Sequence, residues 1–312
     1  MDIEIGKDVL KKIEYVGRTC YKSTDSITEE SAPKFVSSLI KRNHEAMLEH
    51  ASFCFLIDHR VYHFMANAIR LLSDDYGFDS FIRFTTKGRF LMSGNVRAWR
   101  DLFKNMMEWV GIPACFESFI KTNPVLFPEY QDELFNKSLN GFIRPIGVED
   151  LATELEFMVH CRPTVKFVVD RGITHEIVRH RTASFAQEST RYCNYGKEKF
   201  GGELTYIIPE FFEEGSPEWN TWKNLMEWCE ADYLKLLEMG VTPEKARTLL
   251  PHSLKTELIM TASCAEWHHF FNLRACNSTG KAHPQILEVA RPLLDDFKNT
   301  FRGVFDDLNY ER

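Results

Sequence analysis

The chain has 312 residues, with 38 Lys+Arg against 45 Asp+Glu and a formal net charge of -7. That acidic balance argues against a broad nucleic-acid or anionic-membrane surface, and no apolar run reaches the ~18 residues of a membrane span. Hydrophobic residues make up 44%, including 25 Phe and 6 Trp, ample for a large core. Eight cysteines without CxxC spacing, and a start (Met1-Asp2-Ile3-Glu4-Ile5) without the regions of a signal peptide, predict reduced thiols and a cytoplasmic location.

In chain order, residues 7–21 and 28–43 read as amphipathic helices, the first with Val9, Leu10, Ile13 and Val16 at helical spacing. A strand, Phe53 to Ile57, follows His50. Residues 60–72 read as a helix, broken at Ser73 to Gly77. Arg89 to Met92 reads as a strand and 95–109 as a helix. Between 110 and 150, Pro113, Pro124, Pro128 and Pro145 interrupt short helices. The β-branched run Thr164 to Val169 predicts a strand, broken at Asp170-Arg171-Gly172, and Ile173 to Val178 a helix start. Residues 217–239 form a long helix. Thr242-Pro243 caps and opens another that ends before Pro251. Leu258 to Thr261 reads as a strand, with helices at 264–273 and 284–302. Two segments echo each other: Phe55 to Arg60 parallels Phe167 to Gly172, and Phe90 to Trp99 parallels Leu258 to Trp267. This points either to duplicated structural units or to coincidence between apolar strands leading into helices.

The chemistry concentrates between Arg179 and Tyr192, where Arg179-His180-Arg181 is followed by a hydroxyl-rich stretch ending in Ser189, Thr190 and Arg191. Unpaired cations are costly to bury, so this cluster either faces water or holds an anion, which guanidinium grips with paired hydrogen bonds. A solvated basic helix end, favoured by the helix dipole, is the plainer account, and the pattern alone leaves both open.

The residues resemble the flavin-dependent thymidylate synthases, the ThyX family. The Arg-His-Arg segment with Ser189 and Arg191 is similar to that family's signature. Asn43 to Phe55, with Glu49-His50 before Phe53-Cys54-Phe55, resembles its Glu-His and Phe-x-Phe segment. Ala246-Arg247-Thr248-Leu249-Leu250-Pro251, Trp267 to Arg274 and Ala282 to Ala290 resemble three further segments in the right order. The resemblance covers 1–57 and 163–300 and implies one ThyX-like catalytic domain over 1–312, with 58–162 as an atypical insertion enlarging the core. It implies an α+β fold, helices around a small, mainly antiparallel sheet, assembled as a homotetramer with sites shared between subunits. The implied reaction is reductive methylation of dUMP to dTMP, with methylenetetrahydrofolate as carbon donor and FAD, reduced by NADPH, as hydride donor. Neither a G-x-G-x-x-G nor a P-loop motif is present, and the family binds FAD without them.

The resemblance also implies roles. Arg274 faces the uracil as the catalytic residue. Glu176, Arg179, Gln187, Glu188, Ser189, Thr190, Arg191, Arg247 and Arg274 bind substrate. His50, Ser52, Arg179, His180, Arg181, Gln187, Ser263 and His269 bind the flavin. Ser263 and Ala265 stand where the family has Asn and Arg, and Glu176 where Gln is usual, whereas Asn95 and Arg97 keep an Asn-x-Arg pattern; either the insertion, through these two, supplies the lost flavin contact, or the pocket for the FAD adenine is modified. Competing accounts are an Arg247–Glu244 surface pair, Arg274 as a helix C-terminal cap, and Ser189 as a nucleophile. Cys264, His268, Cys276 and His283 lack the spacing of zinc sites, so no metal is expected. The other function classes are a nucleotide-binding relative that has lost catalysis and a metal-dependent hydrolase.

Overall fold

The computed structural model describes every residue except 1–2, 5–7, 77–80, 138, 140, 302 and 312. Lys7, Gly77 and Arg302, at the ends of expected elements, therefore lie outside the described residues, as do Met1, Asp2 and Ile5. The chain runs through β1 (Ile3–Glu4), α1 (Val9–Cys20), α2 (Ser31–Lys41), β2 (Ser52–Ile57), α3 (His59–Tyr76), β3 (Arg83–Thr85), β4 (Phe90–Asn95) and α4 (Val96–Trp109). There follow α5 (Glu117–Thr122), β5 (Ile143–Ile146), α6 (Glu154–His160), β6 (Thr164–Asp170), α7 (Arg171–Ile177) and β7 (Ser184–Gln187). The chain continues with α8 (Pro217–Glu238), α9 (Pro243–Ala246), β8 (Lys255–Thr261), α10 (Cys264–Arg274) and α11 (Pro284–Thr300).

The fold is α+β, and all pairings between named strands are antiparallel, but the strands divide between two sheets rather than one. The orders are β1-β6-β8-β7 and β3-β4-β2-β5. The division follows from side-chain alternation in β2. Phe53, Phe55 and Ile57 face one core with Trp99 and Phe103, whereas Cys54 and Leu56 face a second core with Phe167, Trp267 and Phe297. A strand apolar on both faces must be covered on both. The second core fills the space between the sheets beneath α10 and α11.

The sequence echo corresponds to repeated architecture. β2-α3-β3-β4-α4 runs strand, helix, strand, strand, helix, and β6-α7-β7-β8-α10 repeats that order with α8 and α9 inserted between β7 and β8. Their registers agree: Phe84 pairs with Met92 as Phe185 pairs with Met260. Three residues beyond each methionine, Asn95 and Ser263 cap α4 and α10 through their side chains. Trp99 and Trp267 are fully buried, each with its indole N–H on a backbone carbonyl, of Gly94 and Pro163. Each first strand ends in an aspartate that accepts a backbone N–H three residues on: Val61 to Asp58 at 2.9 Å and Ile173 to Asp170 at 2.7 Å.

Several expectations are corrected. Residues 184–187, read as part of a polar loop, form β7, because edge pairing with β8 satisfies their backbone despite the hydroxyl-rich sequence. Helix α3 continues through Ser73 to Tyr76. Thr242 sits at the start of α9 but its side chain makes no cap hydrogen bond, and the helix tightens to a 3-10 turn at Arg247–Leu249. Pro145 lies in β5, an edge strand, where a missing N–H is tolerated. No described helix is long and apolar enough to cross a membrane.

Asp170 joins three elements. Its Oδ1 accepts the Ile173 N–H at the start of α7, and its Oδ2 accepts from Gln285 Nε2 of α11 at 2.7 Å. Asp170→Ala removes the cap and strands a buried amide, an expected loss of roughly 2–4 kcal/mol, read as a lower urea midpoint. Asp170→Asn, which can still accept one of the two bonds, is expected to lose less.

Candidate anion-binding site

The short helix α7 delivers the Arg-His-Arg segment. Val178 closes the helix with its N–H on Thr174 O, so Arg179 to Arg181 lie just past its C-terminus. His180 turns inward and is 6% exposed, while Arg179 and Arg181 are exposed. The His180 ring meets Phe270 at 5.0 Å and His269 at 5.7 Å, both from α10. Burial, then the charge of Arg274, then His269 lower its pKa to about 4, so it is neutral at physiological pH.

Arg274 does not cap its own helix. It crosses to α7, where Nη1 lies 2.7 Å from Glu176 Oε2 and Nε donates to His180 Nε2 at 3.4 Å. Glu176 thus acts as a counter-charge beside the guanidinium expected to face substrate. Gln187, the last residue of β7, donates through Nε2 to Thr174 Oγ1 at 3.1 Å, tying the strand to the same helix.

The loop after β7 is held from several sides. Ser189 N–H donates to Cys20 O at the end of α1, and Ser189 Oγ accepts the Arg191 N–H. No side-chain base is bonded to Ser189 Oγ among the described residues, so nothing here activates it as a nucleophile. Glu188 is buried beneath the loop: it is 2% exposed, accepts from Tyr195 OH at 2.8 Å, and has Lys22 and Lys255 at 3.8 and 3.9 Å. Thr190 is likewise buried. Glu244 pairs with Arg191 at 3.0 Å rather than with Arg247, which stays exposed. The residues just after the Ala246 to Pro251 motif reach α7: Gly172 N–H donates to His252 O and Arg171 N–H to Leu254 O.

Arg171 was missed by sequence reasoning, hidden in a triplet taken as a strand breaker. Its Nη1 is buried with no hydrogen-bond partner among the described residues. Burial lowers its pKa, the Tyr195 and Glu188 side chains oppose that, and nearby Arg247 adds to it. Arg171 thus adds a half-buried cation beside Arg247, while Arg191 is paired with Glu244 at the surface.

The expected flavin contacts fall in separate places. His50 is 1% exposed, with Nδ1 2.8 Å from Thr261 Oγ1 and Nε2 unpartnered among the described residues; burial, then Lys12, push its pKa down to about 3. Ser52 lines a cavity of about 640 Å³ with Lys12, Cys54, His160 and Arg162. Ser263 caps α10 and, with Ala265, lines a smaller pocket. Asn95 spends its Oδ1 on the Ala98 N–H at 2.7 Å and is 7% exposed, so its polar group serves α4. Arg97 pairs with Glu49 Oε1 at 2.7 Å, and Ser184 Oγ donates to the other Glu49 oxygen at 3.0 Å. Within this chain Arg97 does not line the pocket of Ser263 and Ala265.

Fold and site together describe an α+β protein that carries arginines at the start and end of α7, in the loop after β7, in the turn after α9 and at the end of α10. The profile of the thymidylate synthase complementing protein family matches residues 3–70 and 131–301, leaving 71–130 outside it. The chain belongs to this family. A flavin-dependent thymidylate synthase of Pyrococcus furiosus is 37% identical over 126 residues, 40% of this chain and 50% of that protein. That of Pyrococcus horikoshii is 39% identical over 126 residues, again 40% and 50%. The Corynebacterium efficiens protein of the same name is 28% identical over 222 residues, 66% of this chain and 80% of that protein. The chain spans about half the length of the first two of these relatives.

The buried histidines make a stability prediction. His50, His160 and His180 all titrate below the ordinary histidine value, at about 3, 4 and 4. The unfolded chain takes up these protons near pH 6.5 and the folded chain does not. Stability is therefore full above pH 6.5 and is lost as pH falls towards 4, by about 1.4 kcal/mol per histidine at pH 5.5. Urea midpoints at pH 7.5 and 5.5 check this, and equal midpoints would contradict it.

Proposed function

We propose that this protein is a flavin-dependent thymidylate synthase, reductively methylating dUMP to dTMP with methylenetetrahydrofolate, NADPH and FAD. The observation that carries the reading is Arg274 held across the end of α7 between Glu176 and His180, in a chain of this family. The residues suit a phosphorylated flavin: arginines exposed or with unpartnered buried nitrogens, and His50 Nε2 unpaired among the described residues. His180, Arg179 and Arg181 would hold the flavin, with His50, Ser52 and His269 as further contacts. When bound, the flavin supplies the hydride that NADPH provides.

The chain's own residues bind and orient the nucleotide. Ser189 and Arg191 take the phosphate of dUMP, joined by Arg247, by Arg171 and by backbone N–H groups of the loop. Arg274 lies beside the uracil N3 and its carbonyl. There it stabilises negative charge on the ring, making C5 the nucleophile towards the one-carbon unit. Glu176 fixes the direction of that guanidinium and competes with the substrate for it. Sites shared between subunits of a homotetramer, a cytoplasmic location and residues 58–162 as an enlargement of the core belong to the same proposal.

The purified protein is expected to be yellow and to oxidise NADPH faster when dUMP is present. A colourless protein that still binds dUMP would instead be a nucleotide-binding relative without catalysis. Arg274→Ala is expected to lower kcat/KM at least 100-fold, about 2.7 kcal/mol of transition-state stabilisation. Glu176→Gln frees Arg274 from its counter-charge and is expected to tighten dUMP binding roughly three- to tenfold, about 1 kcal/mol. Isothermal titration gives the affinity, and unchanged or weaker binding would contradict the competing role of Glu176.

A further inference from the structure

Arg162, one residue before the buried turn into β6, is a guanidinium without a settled place. Its Nε is buried and has no hydrogen-bond partner among the described residues. Burial, reinforced by Arg83, pushes its pKa down to about 10, with Cys54 and Glu266 opposing. No carboxylate lies within ion-pair distance of it among the described residues, so Glu266 acts on it only from farther off. A half-buried cation whose Nε is shut off from water is destabilising unless something neutralises it.

The surroundings indicate what that is. Arg162 lines a pocket of about 150 Å³ together with Arg83, Thr182, Ser263, Ala265 and one carboxylate, Glu266, which makes no ion pair with either arginine among the described residues and leaves the two guanidiniums in excess. At ~30 Å³ per water-sized group, that volume holds about five heavy atoms, one phosphate group, and the second phosphate of a pyrophosphate would extend towards the 640 Å³ cavity that Arg162 also lines. Ser263 opens the eleven-residue helix α10, whose first N–H groups and dipole favour negative charge. Ala265 is exposed and brings no side chain to fill the space. Thr182 directly follows Arg181. Arg162 also lines the 640 Å³ cavity that contains Ser52, so it stands between the two separated groups of expected flavin contacts.

We propose that Arg162, assisted by Arg83, binds a phosphate or pyrophosphate group at the start of α10. This rests on the flavin reading for its source: the pyrophosphate of FAD, with the rest of the cofactor reaching towards Ser52. Neither arginine belongs to the motifs that carry the family resemblance, and Arg83 lies outside the stretches that the family profile matches. The chain thus anchors its anion from β3 of the first repeated unit and from the turn that leads into the second.

The test compares the full-length protein with Arg162→Met and Arg83→Ala, using FAD, riboflavin and inorganic pyrophosphate as probes. Flavin fluorescence gives affinities, and thermal melting gives stabilisation by pyrophosphate. Arg162→Met is expected to weaken FAD at least tenfold, leave riboflavin within twofold, abolish the pyrophosphate-induced rise in Tm and leave the ligand-free Tm equal or higher. A merely structural arginine would lower the ligand-free Tm and affect both flavins alike. If Arg162→Met fails to fold, Arg83→Ala decides, with at least a threefold loss for FAD and none for riboflavin. FAD and pyrophosphate binding unchanged in the folded variants overturns the proposal while leaving the flavin reading standing. Pyrophosphate binding through Arg162 in a protein that takes up no flavin would sink the flavin reading and keep the site.

Discussion

The site hangs on a single buried carboxylate. Asp170 ends β6, caps α7 and holds the first turn of α11 through Gln285. With the bonds of the Arg171 and Gly172 N–H groups to Leu254 and His252, it fixes the angle at which α7 leaves the sheet, and that angle decides where the Arg-His-Arg segment emerges. The next constraint is already tertiary: His180 is set against Phe270, and Arg274 spans back to Glu176. A cap worth about 1 kcal/mol in an isolated helix thereby controls the aim of several charges, because the elements it joins are rigid and closely packed.

Charge is distributed with restraint around the arginines. Glu176 neutralises Arg274 and Glu244 neutralises Arg191, both near the surface, where such pairs contribute little to stability and can be exchanged for a ligand. Glu188 does the opposite. It is buried, held by Tyr195 and flanked by two lysines, so it shapes the loop from beneath rather than offering itself to substrate. Arg162 and Arg171 are left with nitrogens that the described residues do not satisfy. The acidic net charge of the chain and the cationic site are therefore compatible, since the carboxylates that could silence the site are placed at its edges.

Much of this was legible in the sequence. The spacing of Arg179, Ser189 and Arg191, and the runs at Phe53 to Ile57 and 217–239, carried the local structure and the family. What was not legible depended on partners distant in sequence. Ser184 to Gln187 has a loop-like composition and becomes a strand only because β8 offers an edge. The strand β2 gives no sign that its two faces belong to different cores. Asn95 resembles a ligand contact in a motif and is a helix cap in space; Arg162 resembles nothing and lies between two cavities. Pair potentials between side chains many residues apart leave no period for a reader to detect.

The repeated architecture has a consequence for how the chain acquires its shape. The strands β3 and β4 are joined by a few residues, and β2 meets β4 across one helix. The matching strands β7 and β8 are separated by the whole of α8 and α9. Closing the longer loop costs more entropy before any contact rewards it. The amino-terminal half is thus equipped to form early and to present the outer face of β2 as a template, on which the slower, arginine-bearing half completes itself.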